Sequence, residues 1–258
     1  MVLILKECLF YKSGAYEAAR HIKPVGIVVH STGCDNEMLR RYVQPTSANP
    51  DYNKILVDLG KNVYNNHLNQ KYINGVYNDI CMHAFIGKND KGEVEIYHTL
   101  PYNYACWGCG SGSYGSFNYD PVAHIQFEIC EDSLKNKEYF DKAFNAAIEY
   151  CAYLCKKLNI NVENIVSHKE AAKAGYASNH GDPENWLNLF GKNMDWFRAQ
   201  VKNKLKTTAD GKTKTIYRVQ VGAYTNEANA KAFLGKVKRA GFSNAFIAKV
   251  EVKNNGKN

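Results

Sequence analysis

Long hydrophobic runs are missing from this sequence. The first ten residues, MVLILKECLF, place only four apolar residues between Met1 and Lys6, which is too few for the core of a secretion signal. No later run approaches the roughly 20 apolar residues that a membrane-spanning helix needs. We therefore expect a protein that is made in the cytoplasm without an export signal of its own and without a transmembrane segment.

The motifs of several common site classes are also absent. The eight cysteines do not show zinc-finger spacing, and the lone CWGC motif at 106–109 has no second pair and no thioredoxin-like helix after it. The glycine-rich stretch 104–120 lacks the Lys-Ser/Thr of a phosphate-binding loop. Without an export signal, the cysteines are expected to be free thiols. The aromatic residues of 104–120 fit a sugar or peptide groove and fit simple packing equally well.

Positive charge is concentrated at the C-terminal end. Residues from 202 onward carry 13 Lys and Arg against 3 Asp and Glu, whereas residues 1–201 carry 20 against 22. The lysine-rich stretch 202–214 has no apolar periodicity, so we interpret it as a linker between two domains. An overall composition of 45% hydrophobic and 22% charged residues is typical of a soluble folded protein.

Short β-branched and aromatic runs alternate with helical periodicity before the linker. The predicted strands are 24–32, 82–87, 94–100 and 122–130, and the predicted helices are 53–68, 136–158 and 185–204. This pattern predicts an α/β domain over 1–201, with a central mixed β-sheet flanked by helices.

The segment after the linker, residues 215–258, is predicted to form a small βαβ domain. Its strands are expected at 215–224 and 244–252, on either side of a helix at 225–242. Two strands and one helix are marginal alone, so this domain is expected to pair with a second copy or to pack on the first domain.

Two histidines and an aspartate are the strongest candidates for a metal site. His30 ends the apolar run IVVH, His168 ends NIVSH, and Asp182 follows 14 residues later, directly before Pro183. Two imidazoles and one carboxylate match the three protein ligands of a catalytic zinc, which leaves a fourth position for water. Each residue also has a structural explanation, because strand-end histidines are often structural and because His168 and Asp182 can cap helices.

Glu128 is the candidate for acid–base chemistry. In the predicted strand HIQFEIC, alternation places Gln126, Glu128 and Cys130 on one face and apolar residues on the other. A carboxylate in this position is either a solvent-facing group or a base with a raised pKa near a site. Glu131 and Asp132, which follow the strand, are expected to be exposed.

The order of these motifs resembles a known family. IVVHSTG, MHAFIG, YHTLPYNYACWG, HIQFEICE and IVSHKEA leading to NHGDPENW are similar to segments of the zinc-dependent N-acetylmuramoyl-L-alanine amidases, over roughly residues 1–200. This family includes bacteriophage lysozyme-amidases and peptidoglycan-recognition proteins, and the chain looks most like phage or prophage endolysins and bacterial autolysins. The resemblance implies a cell-wall hydrolase that cleaves the amide between N-acetylmuramic acid and L-alanine of the stem peptide.

The resemblance also implies roles for individual residues. It implies that Zn2+ is the cofactor, bound at one edge of the sheet by His30, His168 and Asp182. Glu128 matches the catalytic base, and His180 stands where relatives often carry a lysine, which implies an oxyanion donor. Since His180 can itself reach a metal, Asp182 and His180 are alternative third ligands. Gly108 departs from the family, which frequently has a histidine there.

The basic C-terminal segment resembles one half of the sporulation-related repeat, a peptidoglycan-binding module. Half a module implies that two tails pair in a dimer. The resemblance implies peptidoglycan and anionic wall polymers as partners, with release from the host cytoplasm through a holin. A catalytically inactive peptidoglycan-recognition protein is the alternative, although this chain retains every candidate site residue. A nucleic-acid binder is disfavoured, because the tail lacks a nucleic-acid motif and wall polymers attract the same charge.

Overall fold

The chain divides into two compact units, Met1–Asp210 and Gly211–Asn258. The computed structural model describes residues 5–64, 66–209, 222–242 and 245–247. Among these residues, no helix is both long enough and apolar enough to cross a membrane.

A mixed β-sheet forms the centre of the first unit. Across the described residues the strands are β1 (Leu5–Glu7), β2 (Gly26–Ser31), β3 (Tyr72–Ile73), β4 (Val76–Tyr77), β5 (Ala84–Lys88), β6 (Val94–His98), β7 (His124–Ile129) and β8 (Ile165–Ser167). Six of them form one sheet in the order β1-β6-β5-β7-β2-β8, in which β5 and β6 are antiparallel and the other neighbours are parallel. β3 and β4 form a separate antiparallel hairpin.

Helices cover the sheet and connect its strands. Over the same described ranges they are α1 (Gly14–Ala18), α2 (Tyr52–Leu59), α3 (Lys137–Leu158), α4 (His168–Lys173), α5 (Glu184–Leu189), α6 (Met194–Ala209) and α7 (Glu227–Arg239). Short 3₁₀ helices occupy Leu39–Arg41 and Val162–Asn164. The predicted α/β class with a central mixed sheet is confirmed.

Helix α3 builds the main hydrophobic core. The side chain of Asn136 accepts a hydrogen bond from the Tyr139 backbone N–H at 3.1 Å, which satisfies one of the free donors at the start of the helix. The apolar face of α3 and residues of α5 and α6 pack against the alternate apolar residues of β2 and β7, including Val29 and Phe127. The opposite residues of these strands are thereby left to face the other side of the sheet.

Two predicted helices differ from the observed ones. The helix expected over 53–68 ends at Leu59, because Gly60 takes a positive φ of 75°. The helix expected over 185–204 is split into α5 and α6, and Gly191 between them also has a positive φ, of 64°.

Helix α6 is longer than the sequence pattern indicates. Residues 202–209, which we predicted as the first part of the linker, continue this helix. Phe197 and Val201 of α6 are fully buried in the same core as α3, and Lys204 forms a salt bridge of 2.5 Å with Glu149 of α3. Tertiary packing therefore sustains a helix whose own sequence is strongly polar.

The second unit contains one described helix, α7. The side chain of Asn226 accepts hydrogen bonds from the backbone N–H groups of Ala228 and Asn229, which caps this helix. The helix predicted over 225–242 is confirmed with slightly shorter bounds. The strands predicted at 215–224 and 244–252 fall largely outside the described residues.

Candidate metal centre and active site

The carboxyl ends of three adjacent strands bring the candidate residues together. Strands β7, β2 and β8 are neighbours and run parallel. His30 of β2 is paired in register with Glu128 of β7, and His168 directly follows β8. Because the carboxyl ends of parallel strands meet at one edge of the sheet, residues about 100 positions apart along the chain become neighbours.

Three side chains converge at this edge. The Nδ1 atoms of His30 and His168 lie 3.0 Å apart, and each lies 3.4 Å from a carboxylate oxygen of Asp182. Ligands of a tetrahedral metal with bonds of about 2.0–2.2 Å are separated by roughly 3.3–3.6 Å. The three donors therefore have the spacing and the chemistry of a divalent metal site, as the group His30, His168 and Asp182.

His168 and Asp182 do not cap the helices that begin beside them. Ser167 caps α4, because its Oγ accepts from the Glu170 N–H at 2.9 Å while the Glu170 carboxylate accepts from the Ser167 N–H at 3.1 Å. Arg198 of α6 holds Glu170 through two bonds of 2.9 and 3.0 Å. Asp182 accepts from the Ser31 backbone N–H at 3.3 Å instead of capping α5. The capping explanation is thus excluded for His168 and Asp182.

The hydrogen-bond network fixes which nitrogen of His30 is protonated. The Cys109 backbone N–H, which can only donate, bonds Asn118 Oδ1 at 3.2 Å. The same oxygen accepts from Gln126 Nε2 at 2.8 Å, so Gln126 Oε1 must face His30 Nε2, 3.2 Å away. His30 Nε2 consequently carries the proton, and the lone pair of Nδ1 is directed towards the other candidate ligands.

His168 is oriented in the same way by Ser178. The Ser178 hydroxyl donates to the Cys109 carbonyl at 3.2 Å and lies 3.3 Å from His168 Nε2. Since its own proton is engaged, this hydroxyl accepts from His168 Nε2–H and leaves Nδ1 unprotonated. Sequence reasoning missed Gln126, Asn118 and Ser178 as orienting residues, although Gln126 lay on the predicted face of Glu128.

Burial and hydrogen bonding set the charges of the cluster. Burial lowers the pKa of His30, which keeps this imidazole neutral and able to act as a ligand. Burial alone would raise the pKa of Asp182, but the neighbouring imidazoles of His168 and His30 outweigh it and lower the pKa, so the carboxylate is ionised. With two imidazoles and one carboxylate as ligands, a divalent ion would keep a net charge of about +1.

Glu128 lies on the face of β7 that borders the cluster. Burial raises its pKa well above 4.5, and the nearby negative charges of Asp182 and Glu131 raise it further. Its Oε2 is buried and has no hydrogen-bond partner among the described residues. A carboxyl group of this kind accepts and returns a proton more readily near neutral pH than an ordinary glutamate.

The prediction that Glu131 and Asp132 are exposed is wrong. Glu131 is only 9% exposed and Asp132 only 6%. The Glu131 carboxylate accepts a short hydrogen bond from the Ser31 hydroxyl, and its backbone N–H donates to Thr32 Oγ1 at 3.0 Å. The turn after β2 therefore covers the end of β7, which the sequence of β7 alone does not reveal.

His180 lies at the solvent side of the cluster. Its ring centroid is 4.5 Å from that of His168, and its side chain is exposed. His180 and Asp182 both line the adjoining cavity. Among the described residues, however, the group with metal-ligand spacing contains Asp182 and not His180.

A cavity of about 760 Å³ opens over the cluster and Glu128. Gly108 forms part of its wall, and a Cβ atom there would lie 2.5 Å from Gln126 Oε1 and 2.6 Å from Met82 Sδ. A side chain at residue 108 would therefore require the ends of the Gln126 and Met82 side chains to move. The glycine at 108 thus allows Gln126 to keep its position beside His30.

The CWGC motif contributes packing instead of redox chemistry. Cys106 and Cys109 are both free and fully buried. Burial raises the pKa of each thiol, which disfavours the reactive thiolate. As expected from the sequence, all eight cysteines are free.

Comparisons with known proteins agree with this geometry. Residues 20–185 match the sequence profile of the N-acetylmuramoyl-L-alanine amidases, and residues 191–249 match the SPOR domain profile. The first match spans more than half of the chain and includes the three candidate ligands and Glu128. No curated protein is significantly similar in sequence.

One solved structure shares the fold at low sequence identity. The hydrolase AmiA of Staphylococcus aureus, solved in complex with its ligand, is 18% identical with a TM-score of 0.52, and the match covers 81% of this chain and 87% of AmiA. A mutant endolysin from Bacillus subtilis is 23% identical with a TM-score of 0.47, over 78% of this chain and 99% of the endolysin.

Proposed function

Because the chain belongs to the N-acetylmuramoyl-L-alanine amidase family and carries a C-terminal SPOR domain, we propose that it cleaves peptidoglycan at a zinc site formed by His30, His168 and Asp182. The enzyme cleaves the amide bond between N-acetylmuramic acid and the L-alanine of the stem peptide. The convergence of two imidazole Nδ1 atoms and one carboxylate beside Glu128 is the observation that carries the assignment of the site.

The residues present fit zinc well. A set of two nitrogens and one carboxylate oxygen, with one side open to a cavity, is the ligand set of catalytic zinc sites. Zinc, when bound, supplies Lewis acidity towards the scissile carbonyl and lowers the pKa of a bound water to about 7.

Glu128 acts as the proton carrier in this proposal. It takes a proton from the attacking water and delivers it to the leaving amine of L-alanine. Its buried position and raised pKa favour this exchange, because the protonated form is not strongly disfavoured. The same carboxyl group therefore serves both halves of the reaction.

His180 donates a hydrogen bond to the oxyanion that develops on the scissile carbonyl. Its location at the solvent side of His168, on the cavity wall, supports this role. A donor aimed at developing charge contributes chiefly to the transition state. Asp182, which contacts both histidines, then remains the third ligand.

Gln126 is expected to set the metal affinity through His30. Replacing Gln126 with methionine keeps the side-chain volume but removes the acceptor for His30 Nε2–H. Loss of such an outer hydrogen bond should weaken zinc binding roughly 10- to 100-fold. Competition titration with a chromophoric chelator measures this affinity without any assay of activity.

The matched control for this variant is Ile125→Met. Ile125 is the neighbouring residue of β7, is fully buried, and faces the main core. Its replacement disturbs the packing of the same strand but leaves the hydrogen bond to His30 intact. Equal zinc affinities for Gln126→Met and the wild type would contradict the orienting role of Gln126.

Analysis of reaction products tests the proposed function directly. Peptidoglycan digested by the full chain should yield stem peptides that begin with a free L-alanine amino group, which mass spectrometry detects. A non-catalytic recognition protein would bind peptidoglycan without releasing such peptides. Release of reducing sugars in place of free amines would identify a different hydrolase class and overturn the proposal.

The wider biological setting stays a prediction from the sequence. Phage origin, host lysis after holin-dependent release and binding to anionic wall polymers belong to this setting. Pairing of two tails is likewise a proposal, which sedimentation of the full chain at high concentration would test.

A further inference from the structure

A row of aromatic rings leads out of the catalytic cavity onto the β3–β4 hairpin. Trp107 lines the cavity, and its ring centroid lies 6.3 Å from that of Tyr77 on β4. Tyr77 in turn lies 5.6 Å from Tyr72, its cross-strand partner on β3, in an edge-on arrangement. The three rings form a continuous strip, which we call the aromatic strip, that begins at the active site.

The tyrosine rings of the aromatic strip are exposed to solvent, unlike aromatic rings that pack in a hydrophobic core. Tyr72 is 57% exposed and Tyr77 is 44% exposed. Ile80, which is 48% exposed, lines the cavity next to Asp79 just after the hairpin. A contiguous exposed apolar surface that continues a catalytic cavity is a typical ligand-binding surface.

The hairpin is held in place by polar contacts behind it. The buried Asn78 side chain donates to the carbonyls of Leu68 at 3.2 Å and Gln70 at 3.0 Å. Lys71 at the base of the hairpin forms a salt bridge of 2.9 Å with Glu17 of α1. These contacts fix the hairpin in advance, which reduces the entropy lost when a ligand binds.

Helix α1 supports the rings directly. A Cβ atom on Gly14 would lie 2.6 Å from the Tyr77 hydroxyl oxygen and 3.0 Å from the Trp107 ring. Only a glycine lets the helix approach this closely. Tyr77 and Trp107 therefore both pack against α1 at Gly14, and their other surfaces face outward.

We propose that the aromatic strip binds sugar rings of the glycan strand, next to the muramic acid residue whose amide is cleaved. The inference rests on the proposed amidase function, because the substrate then carries a glycan strand that must continue past the cavity. Pyranose rings offer apolar C–H faces, which pack on electron-rich aromatic faces, while their hydroxyl groups remain solvated. The Asp79 carboxylate, exposed at the cavity wall, is placed to accept hydrogen bonds from such hydroxyls.

Two soluble substrates of different glycan length test this inference. One is a muramyl peptide with a single sugar, and the other is a tetrasaccharide that carries the same peptide. The wild-type full chain should show a higher kcat/KM on the tetrasaccharide. In Tyr72→Ala and Tyr77→Ala, this value should fall roughly five- to tenfold, whereas kcat/KM on the single-sugar substrate stays within about twofold.

Matched variants separate stacking from folding. Tyr77→Phe keeps the ring and should keep the preference for the longer glycan. Tyr52→Ala removes a comparably exposed tyrosine, 39% exposed, at the start of α2 and should behave like the wild type. Thermal unfolding of all variants controls for stability.

Several results would overturn the inference. A wild type without preference, or hairpin variants that keep the preference, would show that the aromatic strip does not bind the glycan. Equal losses on both substrates would show that the hairpin supports the active site instead. A wild type that cleaves neither substrate would remove the proposed function itself, and this inference with it.

Discussion

Glu128→Gln is expected to lower amidase activity by about 10²- to 10⁴-fold without loss of zinc. Glutamine keeps the shape of the side chain but cannot accept the proton of the attacking water. His30, His168 and Asp182 do not depend on Glu128 for their mutual contacts, so the metal content should not change. Hydrolysis of a soluble muramyl peptide and metal analysis of the same sample measure the two quantities.

Glu131→Gln is the matched control for this prediction. Glu131 lines the same cavity, but its carboxylate is engaged by the Ser31 hydroxyl. Its replacement should cost far less activity than that of Glu128. If Glu128→Gln retained most of the wild-type rate while Glu131→Gln lost it, Glu131 would be the proton carrier.

The same Glu128→Gln substitution should stabilise the metal-free protein at neutral pH. The folded-state pKa of Glu128 lies above its unfolded value of 4.5, so folding favours the protonated form. The folded state loses stability as the pH rises from about 4.5 towards the folded pKa, and glutamine removes this loss. Thermal unfolding should therefore show a higher Tm for the variant at pH 7 and a smaller difference at pH 4.

Removal of a metal ligand is expected to have the second large effect. His30→Ala, His168→Ala and Asp182→Ala should each lose most of the bound zinc and more than about 10³-fold in activity, because the Lewis acid supplies several kcal/mol of transition-state stabilisation. A strong chelator should inactivate the wild type to a similar extent. Added zinc should then restore the wild type but not the variants.

The comparison of His180→Ala with Asp182→Ala identifies the third ligand. His180→Ala should keep its zinc and lose about 10²- to 10³-fold in kcat, as expected for an oxyanion donor. Asp182→Ala should lose zinc as well as activity. Asp79→Ala, which removes another carboxylate from the cavity wall, is the control for zinc content. If His180→Ala lost its zinc while Asp182→Ala kept it, His180 would be the third ligand in place of Asp182.

Local sequence patterns were sufficient for the strand-borne part of the site. Strand alternation predicted the face of Glu128, and the apolar run before His30 predicted its position near the end of a buried strand. The burial of Glu131 could not be predicted in this way, because its partner Ser31 belongs to a strand about 100 residues away. The protonation of His30 similarly depends on Asn118 and Gln126, which are distant from it in sequence.

The helices differ in the same way: the bounds of α3 follow from its own sequence, whereas those of α6 depend on contacts with residues distant in sequence. α3 was predicted nearly to the residue, because its apolar periodicity and its cap lie within its own sequence. The extent of α6 depends instead on burial of Phe197 and Val201 against α3. A polar, lysine-rich sequence alone does not indicate that burial.

The position of Arg198 determines where a catalytic fragment of this enzyme can end. The SPOR profile begins at residue 191, yet Arg198 of α6 secures Glu170 in the helix that starts with His168. A fragment that ends at residue 190 would lose the hydrogen bonds between Arg198 and Glu170, together with two core side chains, Phe197 and Val201. A catalytic fragment that keeps the candidate metal site and all of these contacts should therefore include helix α6, which ends at Ala209, well inside the segment that matches the SPOR domain.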